Sequence, residues 1–346
     1  MRFLKRSSVV IASALLALSS LSACSSNNAQ KEKVLYVLNT STFTMPGELL
    51  SKFEEETGYR VNLQPVGEDS SIVNTLKLAQ EYPQFDVVFG LNSVDAYTAI
   101  NDGSLLPYTS NVYPESGSDY VISDQVTAID VGDACVNVDD QWFEKNNVTR
   151  PQNFADLAKP EYAKLFVTLD PTKSSTGISF FAATMGIDSE ENGFDFWKSM
   201  LQGGTKVSSE WTDAYYTDYT AGNEKGEGKY PLVASFDTSP AYHQGATSII
   251  EDSCIEYAEY AAVVKGTQSE ELAGKFIDLL LSQDMQKTFP TEMYMFPVDS
   301  SVELPQEYTN YAKRSETKIN FDAGAFESSR QRLLERWRDL YEQYAS

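Results

Sequence analysis

The chain carries a single histidine, His243, in the stretch VASFDTSPAYHQG at residues 233–245. Hydroxyls of Thr238 and Ser239 and the phenol of Tyr242 lie close to it in sequence. A hydrolytic relay would need a nucleophile and base held together, yet neither a GxSxG nor an HExxH pattern occurs. A lone histidine is more often structural than catalytic, so no enzymatic activity is expected. Metal chemistry is as poorly supplied. Cys135, Cys254 and His243 lack clustered ligand spacing, and neither a resident metal nor a cofactor is expected. Another chemistry-bearing tract is TKSSTG, which holds Ser174, Ser175, Thr176 and Gly177 between a strand-like run and an apolar helix. Free N–H groups and hydroxyls at such a helix start can hold a phosphate or a hydroxyl. The same serines would serve equally as an ordinary cap.

The elements that must position these groups alternate. KVLYVLN, YRVNLQPV and FDVVFG read as strands, and GELLSKFEEETG, SSIVNTLKLAQE and SVDAYTAINDG as the helices after them. That alternation predicts a parallel α/β sheet covered on both sides. A second unit begins near Cys135, with strands at LFVTLDP, TKVSSEW and YPLVASF and a helix at ISFFAATMG. After CIEYAEYAAVV the periodicity predicts one long helix over SEELAGKFIDLLLSQDMQKTF, opened by a capping box from Thr267 to Glu270. A last amphipathic helix presents Leu333, Leu334, Trp337 and Leu340 on one side. Ser239 reads as an N-cap with Pro240 in the first helical position.

The first residues form a different class of segment. MRFLKR is basic, SSVVIASALLALSS is apolar but short, and LSAC ends in Cys24. This is the pattern of a secretory signal over residues 1–23. Its end resembles a bacterial lipobox, which implies lipid modification at Cys24 and a polar tether over 24–33. The expected location is extracytoplasmic, anchored to the outer face of the cell membrane. In an oxidising compartment, Cys135 and Cys254 would pair if their strands are neighbours. Acidic residues number 50 against 27 basic, a formal net charge of −23. That balance disfavours nucleic acid as a partner and mildly favours a cationic ligand.

In this order, LLSKFEEETGYRV, FDVVFGLNSVDAYTAINDGSLLPY and LAGKFIDLLLSQDMQ resemble segments of the substrate-binding proteins of bacterial ABC importers. The fold of that class is the two-lobed type II periplasmic binding protein. Each lobe is a helix-flanked mixed α/β sheet, and the ligand cleft lies between the lobes. The resemblance implies one lobe from 34–132 and 262–346, and the other from 133–261. Within the class, GEDSSIVNTL, DPTKSSTGISFF, SSEWTDAYY, SFDTSPAYH and TEMYMFPVDSSVELP are similar to the thiamine-binding lipoproteins. The ligand implied is thiamine or its phosphates, and the implied partners are a permease and an ATPase on other chains. The binding protein itself is expected to be a monomer.

By position in those motifs, Trp211, Tyr242 and Tyr294 would contact the ligand rings. Glu68 and Asp69 would lie beside the cation or the aminopyrimidine, with the 174–177 tract at the tail. Aromatic faces attract a cationic ring, each by about 0.5–2 kcal/mol. Two residues depart from the family pattern, Thr40 in place of an aromatic and Phe236 in place of a tyrosine. They imply weaker hold on phosphorylated forms or a different ring set. Two rival ligands remain at this stage. The adjacent Tyr215 and Tyr216 resemble the paired phenolates of ferric-ion-binding relatives, and the acidity would also suit a polyamine.

Overall fold

The computed structural model describes residues 33–66, 72–80, 84–186 and 189–344. The signal segment, the lipidation site Cys24 and the acidic pair Glu68 and Asp69 lie outside the described residues. Among the described residues, no helix is long and apolar enough to cross a membrane.

In chain order the strands are β1 Val34–Asn39, β2 Arg60–Pro65, β3 Val87–Asn92, β4 Leu105–Leu106 and β5 Thr127–Asp139. β6 Phe166–Leu169, β7 Lys206–Ser208, β8 Leu232–Phe236, β9 Thr247–Val264 and β10 Phe296–Pro297 follow. They form one continuous mixed sheet in the order β2-β1-β3-β9-β5-β8-β6-β7, with β4 on β9 and β10 on β5. The two ends are parallel, as the alternation predicts: β1 pairs with β2 and β3, and β6 with β7 and β8. The middle is antiparallel, because β9 pairs with β3 and β5, and β5 with β8. An 18-residue β9 and a 13-residue β5 therefore run through both halves.

Among the described residues, three apolar clusters flank this sheet. The first gathers Phe53, Phe89 and Phe276. The second gathers Phe166, Phe181 and Trp197, and the third is a small set around Leu169, Tyr215 and Tyr219. The sequence groups 262–346 with the first lobe. The last helix, Arg330–Tyr344, nevertheless buries Leu333, Leu334 and Trp337 in the second cluster, with Trp337 edge-on to Trp197 at 5.7 Å.

Cys135 and Cys254 are joined in a disulfide between β5 and β9, their Cα atoms 4.2 Å apart. The register shifts between Ala134 and Val136, where the pairing passes from Ile255 to Ile250. That irregularity sits at the two cysteines.

Several helix expectations differ from the structure. The long helix is three pieces, Glu270–Leu280, Gln283–Gln286 and Phe289–Glu292. Ser282 interrupts it by turning extended and accepting from the Met285 N–H at 3.3 Å, a local bond that competes with helix continuation. The capping box does not form either. Thr267 Oγ1 accepts from the Ser269 N–H at 3.0 Å and donates to Asp86, so it is already engaged. At the 239 turn the N-cap is Thr238, and Ser239 opens the single turn Ser239–Tyr242.

Candidate functional site

The site begins with how the chain leaves its strands. β6 ends at Leu169, and Asp170 Oδ1 folds the exit loop by accepting from the Thr172 N–H and Oγ1 at 2.8 and 2.7 Å. Ser174 then caps the helix Ser175–Met185, its Oγ accepting from the Gly177 N–H at 3.2 Å. A Cβ at Gly177 would come within 2.7 Å of the Asp170 carbonyl oxygen, so only glycine lets the helix start this close to the strand end. The helix therefore starts inside the expected loop and presents Ser175 and Thr176 at its N-terminus. Opposite, the end of β3 approaches the segment after β1 through Gly90. Its φ of 99° and a 2.1 Å clash between any Cβ and Thr40 Cγ2 both demand glycine.

These ends border a cavity of about 320 Å³, within the range of small-molecule sites. Val66 and Ile72 from the first cluster, Ile178 and Met295 from the second, and Trp211 and Tyr215 from the third all contribute to its wall. Val66 and Ile72 bracket the stretch that holds Glu68 and Asp69.

The aromatic side is built by a π-helical turn at Asp213–Asp218, a rare wide turn that is frequent at functional sites. Trp211 stacks on Tyr215 with centroids 4.7 Å apart and planes at 18°. Its indole N–H donates to Ser235 Oγ at 3.2 Å, and Ser235 Oγ lies 3.0 Å from Ser239 Oγ. The same Tyr215 ring also meets His243. The Tyr215 hydroxyl and His243 Nε2 are 2.9 Å apart, and the two rings lie 5.8 Å apart at 26°. Burial pulls the His243 imidazole below its ordinary range, against a weaker upward pull from Asp139. The histidine is thus a buttress behind the cavity wall. Tyr242, beside it, is 42% exposed and lines the cavity. Tyr242 meets Tyr294 edge to face, with centroids 5.1 Å apart.

Of the residues expected from sequence, Ser174, Ser175, Thr176, Trp211, Tyr215, Tyr242 and Tyr294 all line this cavity. Gly177 stands one position behind it. Thr40 and Phe236, the two departures from the family pattern, line the cavity as well. Phe236 packs edge-on to Tyr257 at 5.0 Å.

The carboxylates of the wall were not legible as site residues. Asp95 and Arg330 form an ion pair at 2.6 Å and largely neutralise each other. Glu292 accepts from Thr44 Oγ1 at 3.2 Å. Glu259, on β9, is only 7% exposed yet lines the cavity. Its Oε1 accepts from the Tyr257 hydroxyl at 3.2 Å, and its Oε2 has no hydrogen-bond partner among the described residues. Burial pushes this carboxyl up to about 7. Asp130, its partner across the β5–β9 ladder, is held well above the carboxylate range by burial and then by Glu259. The signal that could have found Glu259 is its position in IEYAEYAAVV, where an acidic residue interrupts a buried strand.

A two-lobed sheet whose strand ends converge on an open, ring-lined cavity is the build of a solute receptor. The chain belongs to the bacterial extracellular solute-binding protein family, whose profile matches residues 83–321. Among curated proteins, it is 26% identical over 317 residues to the thiamine-binding periplasmic protein of Escherichia coli (strain K12), covering 84% of this chain and 88% of that one. It is 24% identical over 307 residues to the protein of the same name from Brucella suis, covering 84% and 87%. Among solved structures, a periplasmic thiamin binding protein superposes with a TM-score of 0.76 at 22% identity, over 90% of this chain and 96% of that one. A ferric binding protein from Campylobacter jejuni superposes at 0.69 and 18% identity, over 88% and 99%. At such identities the structural likeness establishes the two-lobed periplasmic-binding-protein fold and nothing finer.

Proposed function

We propose that this chain is the extracytoplasmic solute-binding component of an ABC importer and that its solute is thiamine. The observation that carries the reading is the wall that places Trp211, Tyr216, Tyr242 and Tyr294 around one cavity with the buried carboxyl of Glu259. Thiamine is a flat aminopyrimidine joined to a flat thiazolium cation. Aromatic faces and a carboxylate are what such a molecule requires. Its hydroxyethyl tail, free or phosphorylated, would meet the N-terminus at Ser174, Ser175 and Thr176, with Gly177 supporting the turn. Glu68 and Asp69 are proposed to add acceptors near the rings. The relatives named for thiamine binding support the same solute.

Function then consists of capture without chemistry. Ligand enters the cleft between the lobes, residues of both lobes close on it, and the closed form is recognised by a permease coupled to an ATPase. The protein works as a monomer held to the membrane through lipid on Cys24, with lobes from 34–132 plus 262–346 and from 133–261, the last helix of the first segment pair packing on the core of the second lobe. A ferric ion is disfavoured. The Tyr215 hydroxyl is engaged by His243, and burial holds the phenols of Tyr215 and Tyr216 above their ordinary range, the latter at about 12.

The test is calorimetry of the mature domain with thiamine, its monophosphate and its diphosphate. One-site saturable binding of thiamine is expected. Absence of heat with all three, together with a visible phenolate-to-iron band on adding ferric citrate, would overturn the reading.

A further inference from the structure

Glu259 stands apart from the other charged groups of the cavity because one of its oxygens is both buried and without a partner among the described residues. Asp95 and Arg330 satisfy each other, and Glu292 accepts from Thr44. Glu259 lines the cavity; its Oε1 is occupied by Tyr257, whereas its Oε2 is buried and has no partner among the described residues. A buried carboxylate oxygen without a donor costs free energy, so its retention at a cavity wall calls for a donor brought by the ligand.

We propose that Glu259 Oε2 is the acceptor that fixes the orientation of the bound solute by taking a hydrogen bond from an exocyclic amine on its ring. This rests on the thiamine reading and sharpens it. The thiazolium nitrogen carries no hydrogen, so it attracts the carboxylate by charge alone. The hydroxyethyl tail has one O–H, which the helix start at Ser175 and Thr176 serves. The remaining donor is the amine of the aminopyrimidine. The site then discriminates at that atom, since a carbonyl oxygen placed against Oε2 would set two acceptors together.

The ionisation of this carboxyl gives the proposal a second reading. Its neighbours are Tyr257 on its own strand and Asp130 on β5, and the cavity also presents Asp95, Arg330, Glu292 and Lys173. Burial raises both Glu259 and Asp130, so the pair sheds protons late and Glu259 is partly protonated near neutrality. A protonated carboxyl can donate to a carbonyl; a carboxylate cannot.

The experiment compares thiamine with oxythiamine, in which a carbonyl replaces that amine, by calorimetry on the unchanged protein and on Glu259→Gln at pH 6 and pH 8. For the unchanged protein at pH 8, thiamine is expected to bind at least 30-fold tighter, and the preference to shrink several-fold at pH 6. In Glu259→Gln thiamine should weaken about 10-fold at pH 8, and the preference should become independent of pH. If the unchanged protein binds both compounds equally at pH 8, or if its preference ignores pH, the proposal is overturned whatever the fate of the variant. If the variant folds and keeps the preference of the unchanged protein, it is overturned likewise. Failure of the unchanged protein to bind thiamine at either pH would instead remove the thiamine reading, and this inference with it.

Discussion

Tyr242 and Tyr294 meet edge to face across the cavity wall, ring centroids 5.1 Å apart and planes at 86°. Tyr242 follows the end of β8 on a single helical turn, whereas Tyr294 sits just before β10 with a backbone φ of 56°. A left-handed conformation is uncommon for an aromatic residue and costs on the order of 1–2 kcal/mol. Strain of this kind is tolerated where a side chain must be aimed. Tyr294→Gly should therefore lose little stability in chemical denaturation, or gain slightly, while thiamine affinity falls at least 10-fold. A variant that loses stability and binding in proportion would show that the ring is packing alone.

Trp211 and Tyr215 should separate in the opposite way. Both belong to the stacked pair, but Tyr215 is buried and hydrogen-bonded to His243, whereas Trp211 is half-buried at the wall. Trp211→Ala is expected to cost about 1–2 kcal/mol of binding, roughly a 10-fold weaker Kd, with a modest change in melting temperature. Tyr215→Ala opens a cavity in the third core and should cost about 3–5 kcal/mol of stability. Fluorescence titration and thermal melts on both variants check the division. Equal stability losses would sink it.

Much of this arrangement was legible in the sequence because it rests on local signals. The glycine at position 58 takes a φ of 69° and ends the helix Gly47–Thr57 where the pattern predicts. The place of the Tyr242 turn after β8 is equally local, although its cap is Thr238 and not Ser239. What was not legible depends on partners far along the chain. Glu259 is buried because Asp130 and the rest of β5 lie against it, a pairing no local periodicity reveals. The breaks in the 270–292 helix come from Ser282, whose side chain offers the backbone an alternative bond that helical spacing alone does not show. The last helix carries the expected apolar face, but its sequence does not say which core that face joins.

The disulfide between Cys135 and Cys254 closes 119 residues of chain and ties the two long strands that run through both halves. Restricting so long a loop in the unfolded chain stabilises the fold by about 5 kcal/mol in the chain-entropy account. Urea denaturation with and without reductant should shift the midpoint accordingly, and Cys135→Ala with Cys254→Ala should reproduce the reduced value. An unchanged midpoint on verified reduction would refute the prediction.

Glu259 also sets a pH dependence of the unliganded protein. Its folded-state value of about 7 exceeds the ordinary 4.5, so the folded state keeps a proton that the unfolded chain releases. Stability is then fully present below about 4.5 and declines as pH rises through about 7, by roughly 3 kcal/mol for a shift of this size. Asp130 acts in the same sense. Glu259→Gln should be more stable relative to the unchanged protein at pH 8 than at pH 5, with a residual slope from Asp130. Parallel stability curves for the two proteins would contradict this.

Arg314 supplies the opposite sign. It donates from Nε and Nη2 to Asp133 at 3.1 and 2.8 Å, lies 3.2 Å from Asp237 Oδ2, and donates to the Gly132 carbonyl at 3.0 Å. Ser315 N–H adds a bond to Asp133 at 3.1 Å, so the segment straps across β5 beside the cavity-bearing strands. Burial disfavours the Asp133 carboxylate, but Arg314 and then Lys318 outweigh it and hold the group below its usual range. Asp237, wholly buried, stays well above that range, raised by burial and by Asp133. Removing one partner of a buried ion pair strands the other, at about 3–5 kcal/mol. Lys318, 3.1 Å from Asp133, retains part of the compensation, so Arg314→Met should cost about 3 kcal/mol at pH 8. The Asp133 contribution is present above its unfolded value and fades as pH falls through its lowered folded value. Without Arg314 the carboxyl protonates at higher pH, which relieves the stranded charge. The gap between the two proteins in chemical denaturation should therefore narrow as pH falls from 8 to 5. A gap that stays constant or widens would show that the strap acts through packing and not through charge.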